Sequence, residues 1–298
     1  MHLWYLPKLE SPKDPTFVIG TKRISRELQS HSFCHFLIFH IAMTCTSSIF
    51  PAILDENDPS LVNIAKLEEF CQHGLDLCPP EQRCLAWLLL SHVLPNIMSE
   101  WNQKIEEDYN FYIKFVGLLN LKGFEELPLD NPIKGEGFDA QCLKVIHMDV
   151  IRSSHHLVFM PYPDEEHREQ IQGAFWRQIR RIERILYIFA QLNPTISYMQ
   201  GFNEIVSPIF FVFAQGYEFC RCDWNLVEAL SFFIFQSMMT STTLHEMFSI
   251  KNDLSLALAH FSYFEKQLAV IAPEMKECLD HLGIVPIDYL VKWINPLF

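Results

Sequence analysis

The stretch "EEHREQIQGAFWRQIRRIERILYIFAQL", Glu165 to Leu192, constrains the fold more than any other part of the chain. Ile171, Phe175, Ile179, Ile182, Ile185, Leu186, Phe189 and Leu192 recur every three or four positions, the period of one face of an α-helix. Pro194 stops the pattern, because proline has no N–H to donate and its ring clashes with the preceding turn. A helix of this length with a continuous apolar stripe must bury that stripe against other elements. The opposite face carries Arg177, Arg180, Arg181 and Arg184, which reads as a solvated face.

Shorter segments share the period. "DPSLVNIAKLEEFCQHGL" places Leu61, Ile64, Ala65, Leu67 and Phe70 at helical spacing, with Asp58 or Ser60 as cap and Gly74 at the end. Pro79 and Pro80 open an apolar block that Pro95 closes. A helix over Ser99–Leu119, with Ser99 as cap, aligns Trp101, Ile105, Tyr109, Tyr112, Ile113 and Val116. Gly123–Phe138, with two prolines and three glycines, reads as a surface connection. From Cys142 to Glu166 helix and extended readings both stand, with Leu157–Pro163 looking extended. Ser207–Pro208 fits an N-cap and first-turn pair ahead of an all-round apolar run. Helices over Asn225–Met239, Asp253–Ile271 and Glu274–Leu282 complete the set. No segment shows paired-strand alternation, and only 10 glycines occur in 298 residues, too few for a turn-rich sandwich or a glycine-looped nucleotide fold. The expectation is all-α.

Net charge of −13 argues against a nucleic-acid partner, which would call for a basic stripe. Nine unframed cysteines and no secretory signal suit a reducing cytoplasm. Phe33–Leu54 has nearly the length of a membrane span, but His35, His40, the hydroxyls of Thr44–Ser48 and Pro51 make insertion poor. Residues 1–54 remain unassigned, and the domain is taken as 55–298. His155, His156, Asp164 and His167 form a loose set that matches no standard metal spacing, and Cys220 and Cys222 lack a second pair. No metal is expected.

One residue stands out in "TISYMQGFNEIVSPIF", Thr195–Phe210: Gln200, an amide in an apolar run. Buried without partners it would cost roughly 1–3 kcal/mol, so either the fold or a bound molecule must satisfy it. "ISYMQGFNEIVSPIF" resembles the Tyr-x-Gln-Gly motif of the TBC domain, the Rab GTPase-activating family. "VIHMDVIRS" is similar to that family's Ile-x-x-Asp-x-x-Arg motif through Ile146, Asp149 and Arg152, and "IVPIDYLVKW" to its third motif through Pro286, Tyr289 and Trp293. The resemblance covers Leu61–Phe298. Phe202 stands where the family usually has methionine, and Ser153 where it often has threonine. "LEEFCQHGL", "QRCLAWLLLSHVLP" and "WRQIRRIERILYIFAQLNP" carry a finer likeness to one member of the family.

The resemblance implies an all-helical Rab-GAP-type domain, acting on a GTP-bound Rab-type small GTPase in vesicle trafficking. Arg152 would be an arginine finger and Gln200 a glutamine finger. Tyr198 and Gly201 would shape the turn, Asp149 would hold the guanidinium, and Asn203 and Glu204 would cap and orient the following helix. No independent hydrolase activity and no cofactor are expected, since GTP and magnesium come with the partner. Membrane recruitment would be transient and indirect, through the Rab. The family's domains continue beyond the third motif, so the resemblance also implies last helices that this chain does not contain. Their loss would favour the alternative of a catalytically impaired Rab-binding module.

Overall fold

A computed structural model describes residues 49–75, 78–129, 139–154, 168–241 and 254–286, with backbone alone for 50, 154, 168–176, 254–258 and 260. Its helices are α1 (Phe50–Ile53), α2 (Ile64–Gln72), α3 (Pro80–Leu90), α4 (Trp101–Leu118), α5 (Ala140–Ser154), α6 (Arg168–Leu192), α7 (Phe202–Gln215), α8 (Trp224–Ser241), α9 (Leu254–Ile271) and α10 (Pro273–His281). Among the described residues the only β-pairings are isolated bridges, Leu54 with Val62 and Leu61 with Ile97. The fold is all-α, as the periodicity predicts.

α6 is the spine. Its apolar stripe, Ile179, Ile182, Ile185, Leu186 and Phe189, is buried, and the helix packs against α5, α7 and α8. α7 and α8 lie against each other and bury Ile205, Ile209, Phe213, Leu230 and Phe235. α4 covers α8 through Tyr112 and Phe115, whose rings meet Phe232 at 5.5 and 6.2 Å. α9 and α10 pack on one another around Phe261 and Leu268. The main core reaches back to Ile49 and Ile53, upstream of the boundary set at residue 54.

Three local readings differ from the structure. α2 is capped by Asn63, whose side chain accepts from Lys66 N at 3.1 Å. Asp58 and Ser60 instead bond each other in the preceding turn. Ser99 sits inside a 3₁₀ turn, Met98–Glu100, and α4 starts at Trp101 with no side-chain cap. α7 begins at Phe202, so Ser207 and Pro208 are interior. Proline removes one rung there. Burial of the surrounding apolar residues outweighs that local preference, and the Ser207 hydroxyl donates back to Asn203 O at 2.6 Å.

The largest difference concerns the arginines of α6. Arg177 is exposed and paired with Glu126. Arg180, Arg181 and Arg184 are buried. Glu228, fully buried in α8, accepts from Arg181 Nη1, from Arg184 Nε and Nη2 at 2.8 and 2.6 Å, and from Tyr112 OH at 2.7 Å. Arg184 also reaches Glu125 and Leu121 O, while Arg180 reaches Glu183, Leu127 O and Pro128 O. Three guanidiniums thus face three carboxylates, Glu125, Glu183 and Glu228, so the charges of this network balance. Burial works against the charge on Arg184, yet Glu228, Tyr112 and Glu125 hold its guanidinium above its usual value. The tell-tale was Glu228 itself, a lone carboxylate in the apolar run "NLVEALSFFIFQ" that had to find cations.

Several sequence readings lie outside the described residues: the segment up to 48, most of the Gly123–Phe138 connection, Leu157–Pro163, the His155, His156, Asp164 and His167 set, and Tyr289 and Trp293. Among the described residues no helix is long and apolar enough to cross a membrane.

Candidate functional site

α5 is amphipathic. Leu143, Ile146 and Val150 are buried, and with them Asp149. Arg152, one turn later, leaves its side chain 60% exposed and sets Nη1 3.5 Å from Asp149 Oδ1. The sequence motif thus becomes a buried carboxylate and an exposed guanidinium on one turn.

The α6–α7 connection brings Gln200 to the same place. Asn193 pins its start through paired amide bonds with Gln236, at 2.9 and 3.1 Å. Its end is fixed by Gly201, which has φ +105° and is the residue from which α7 springs. That backbone region is open to glycine and strained for any side chain. Phe202 anchors the turn from below, edge-on to Phe189, Tyr198 and Phe235. Gln200 is exposed, and its amide has no partner among the described residues.

Polar links tie the connection to α5. Tyr198 OH donates to Asp149 Oδ2 at 3.0 Å and lies 3.3 Å from Asn203 Oδ1. Burial, with Asp149 beside it, pushes the Tyr198 phenol far above its ordinary value, so it remains a neutral donor. Asn203 Nδ2 donates to Ser153 Oγ at 2.6 Å and lies 3.3 Å from Asp149 O. Asn203 therefore does not cap α7, whose first turn has no side-chain cap. It staples α7 to α5: its Nδ2 is a donor, and the Asp149 carbonyl and Ser153 hydroxyl at the end of α5 supply the acceptors. The hydroxyl of Ser153, read from sequence only as a substitute for threonine, is what receives it. Glu204 is half-buried in the first turn.

These elements enclose a cleft of about 280 Å³ lined by Asp149, Arg152, Ser153, Gln200, Gly201, Asn203 and Glu204. The structure thus gathers six of the seven residues singled out in the sequence along one wall, with Tyr198 directly behind them. Arg152 is answered by Asp149, and Glu204 adds a second carboxylate, so the cleft is not an anion trap by itself. Among the described residues no three His, Cys, Asp or Glu side chains cluster so as to hold a metal ion.

The family model described as the Rab-GTPase-TBC domain matches residues 136–298, a span that contains the whole cleft. The chain belongs to the Rab-GTPase-TBC domain family. Relatives of this TBC chain include TBC domain-containing protein C1952.17c of Schizosaccharomyces pombe, 36% identical over 123 residues, 39% of this chain and 18% of that protein. The member of the family to which the finer likeness points is TBC domain family member 13. TBC1 domain family member 13 of mouse and human matches at 46% identity over 59 residues, 20% of this chain and 14% of its own length. The matches thus span under a fifth of those relatives. The crystal structure of the Ypt/Rab-GAP domain of Gyp1p shares the fold, with a TM-score of 0.55 and 19% identity over 83% of this chain and 71% of that one.

Proposed function

We propose that this TBC chain is a GTPase-activating protein for a Rab-family GTPase, supplying Arg152 and Gln200 to the partner's active site. One observation carries the reading: two exposed residues 48 positions apart line one open cleft. The partner brings GTP and magnesium, and on hydrolysis negative charge develops on the transferred phosphoryl group. A guanidinium placed there in trans is worth about 10³–10⁵ in rate, roughly 4–7 kcal/mol. Releasing Arg152 from Asp149 costs less than this, since the guanidinium is already largely in solvent, the contact is 3.5 Å long, and the buried carboxylate keeps the Tyr198 hydroxyl. Gln200 accepts from the attacking water and donates to an oxygen of the partner, which sets the line of attack. Asp149 is the resting partner that keeps the arginine extended along α5, and Tyr198 and Asn203 fix the distance between the two fingers.

The chain itself binds no free nucleotide in this reading, because the two carboxylates of the cleft oppose an unneutralised triphosphate. Its contact with membranes comes through the partner. Single-turnover hydrolysis with a panel of GTP-loaded Rab proteins tests the proposal. Acceleration of at least one Rab, lost in Arg152→Ala and in Gln200→Ala, is expected. Unchanged rates with every Rab would overturn it, and binding without acceleration would mark a non-catalytic module.

A further inference from the structure

We infer that the exposed face of α5 is the specificity-determining docking strip for the GTPase; the inference rests on the reading above. Along this helix Val145, Met148 and Arg152 follow at i, i+3 and i+7, so they share one face. The buried side of α5 is already filled by Leu143, Ile146 and Val150. Val145 and Met148 are surplus to that packing, and they stand 39% and 54% exposed. Lys144 flanks them, also exposed.

The strip is chemically distinct from the rest of the molecule. Its exposed residues from Gln141 to Arg152 are Gln141, Lys144, Val145, Met148 and Arg152: two positive charges and no carboxylate, in a chain of net charge −13. Its last member lines the cleft. A molecule that places a triphosphate against Arg152 therefore also covers the turns before it. The occupant that fits is the GTPase surface bordering its nucleotide, with an apolar patch against Val145 and Met148 and an acidic residue against Lys144. Methionine and arginine suit such a surface, the one by adaptable packing and the other by planar hydrogen bonding. Because Met148 does not line the cleft, it controls which GTPase is gripped and how tightly, not the chemistry.

The test uses the full chain and the same Rab panel, loaded with a non-hydrolysable GTP analogue for affinity and with GTP for turnover. Met148→Asp is expected to weaken binding at least tenfold and to raise KM in proportion, with kcat at saturation close to wild type. Lys144→Glu is expected to weaken binding several-fold and to flatten its salt dependence. Leu118→Asp, an equal change at an exposed position of α4, is the control and leaves both parameters unchanged. Affinity within twofold of wild type for Met148→Asp, while Arg152→Ala abolishes turnover, would refute the strip and leave the finger reading standing. No Rab bound by wild type would refute both. A Met148→Asp chain that changes from dimer to monomer with Rab affinity intact would assign the strip to self-association and refute the proposal.

Discussion

Glu228→Gln is the sharpest probe of how this fold holds its site. The carboxylate has no exposure and receives four donors: Arg181 Nη1, Arg184 Nε, Arg184 Nη2 and Tyr112 OH. Glutamine keeps one acceptor oxygen and turns an NH₂ toward guanidiniums or the phenol. The balance of three cations to three carboxylates becomes three to two, and Arg181 is left with Glu125 at 3.9 Å. Breaking a buried pair from one side typically costs about 3–5 kcal/mol. At about 2–4 °C per kcal/mol for a domain of this size, Tm should fall by about 6–20 °C. Thermal unfolding followed by circular dichroism measures this. Arg184→Met on its own should also destabilise, and the double variant Arg184→Met/Glu228→Gln should lose at least about 1 kcal/mol less than the sum of the singles. A Glu228→Gln loss below about 1 kcal/mol would mean that the arginines are solvated after all, and the network account would be wrong.

Two further outcomes follow from the site and the core. Tyr198→Phe removes the donor from buried Asp149 Oδ2, so it should cost about 1–3 kcal/mol in denaturant unfolding and lower kcat by letting the α6–α7 connection drift from α5; unaltered kcat and stability would discard that role. Burial raises the Asp108 carboxyl above 3.8, with Lys104 countering only in part. A carboxyl raised in the folded state contributes fully below its unfolded value and loses that contribution as pH rises through the folded one. Asp108→Asn should therefore gain on wild type as pH climbs through that window and keep the margin at neutrality; a margin that shrinks with rising pH would contradict the assignment.

Much of this was legible in the residues, and the failures share a cause. The spine helix was readable because its apolar period is long and unbroken. Gln200 stands out as an amide in an apolar run, whereas Arg152 enters through the resemblance of its segment to a family motif; that both line one cleft is what the structure adds. What periodicity does not carry is the partner across the interior. Arg180, Arg181 and Arg184 looked solvated because a helix wheel shows which side is polar, not what lies opposite it. For Arg181 and Arg184 the answer sat in Glu228, more than forty residues on, and for Arg180 in Glu183 and the carbonyls of Leu127 and Pro128. Asn203 looked like a cap for the same reason: its local options were visible, while Ser153, 50 residues back, was not. Ser207–Pro208 misled in the other direction, since a strong local start signal yielded to the burial of Phe202 and Ile205.

The central claim is that Arg152 and Gln200 act together on another molecule's reacting phosphate. Affinity for a Rab loaded with GDP and aluminium fluoride, a mimic of the transferring phosphoryl group, tests it most directly. Wild type should bind that species about a hundredfold or more tightly than the GDP form. Arg152→Ala and Gln200→Ala should each lose most of that advantage, yet still bind the Rab loaded with a non-hydrolysable GTP analogue. Equal affinity of wild type and both variants for the aluminium fluoride complex would contradict the account.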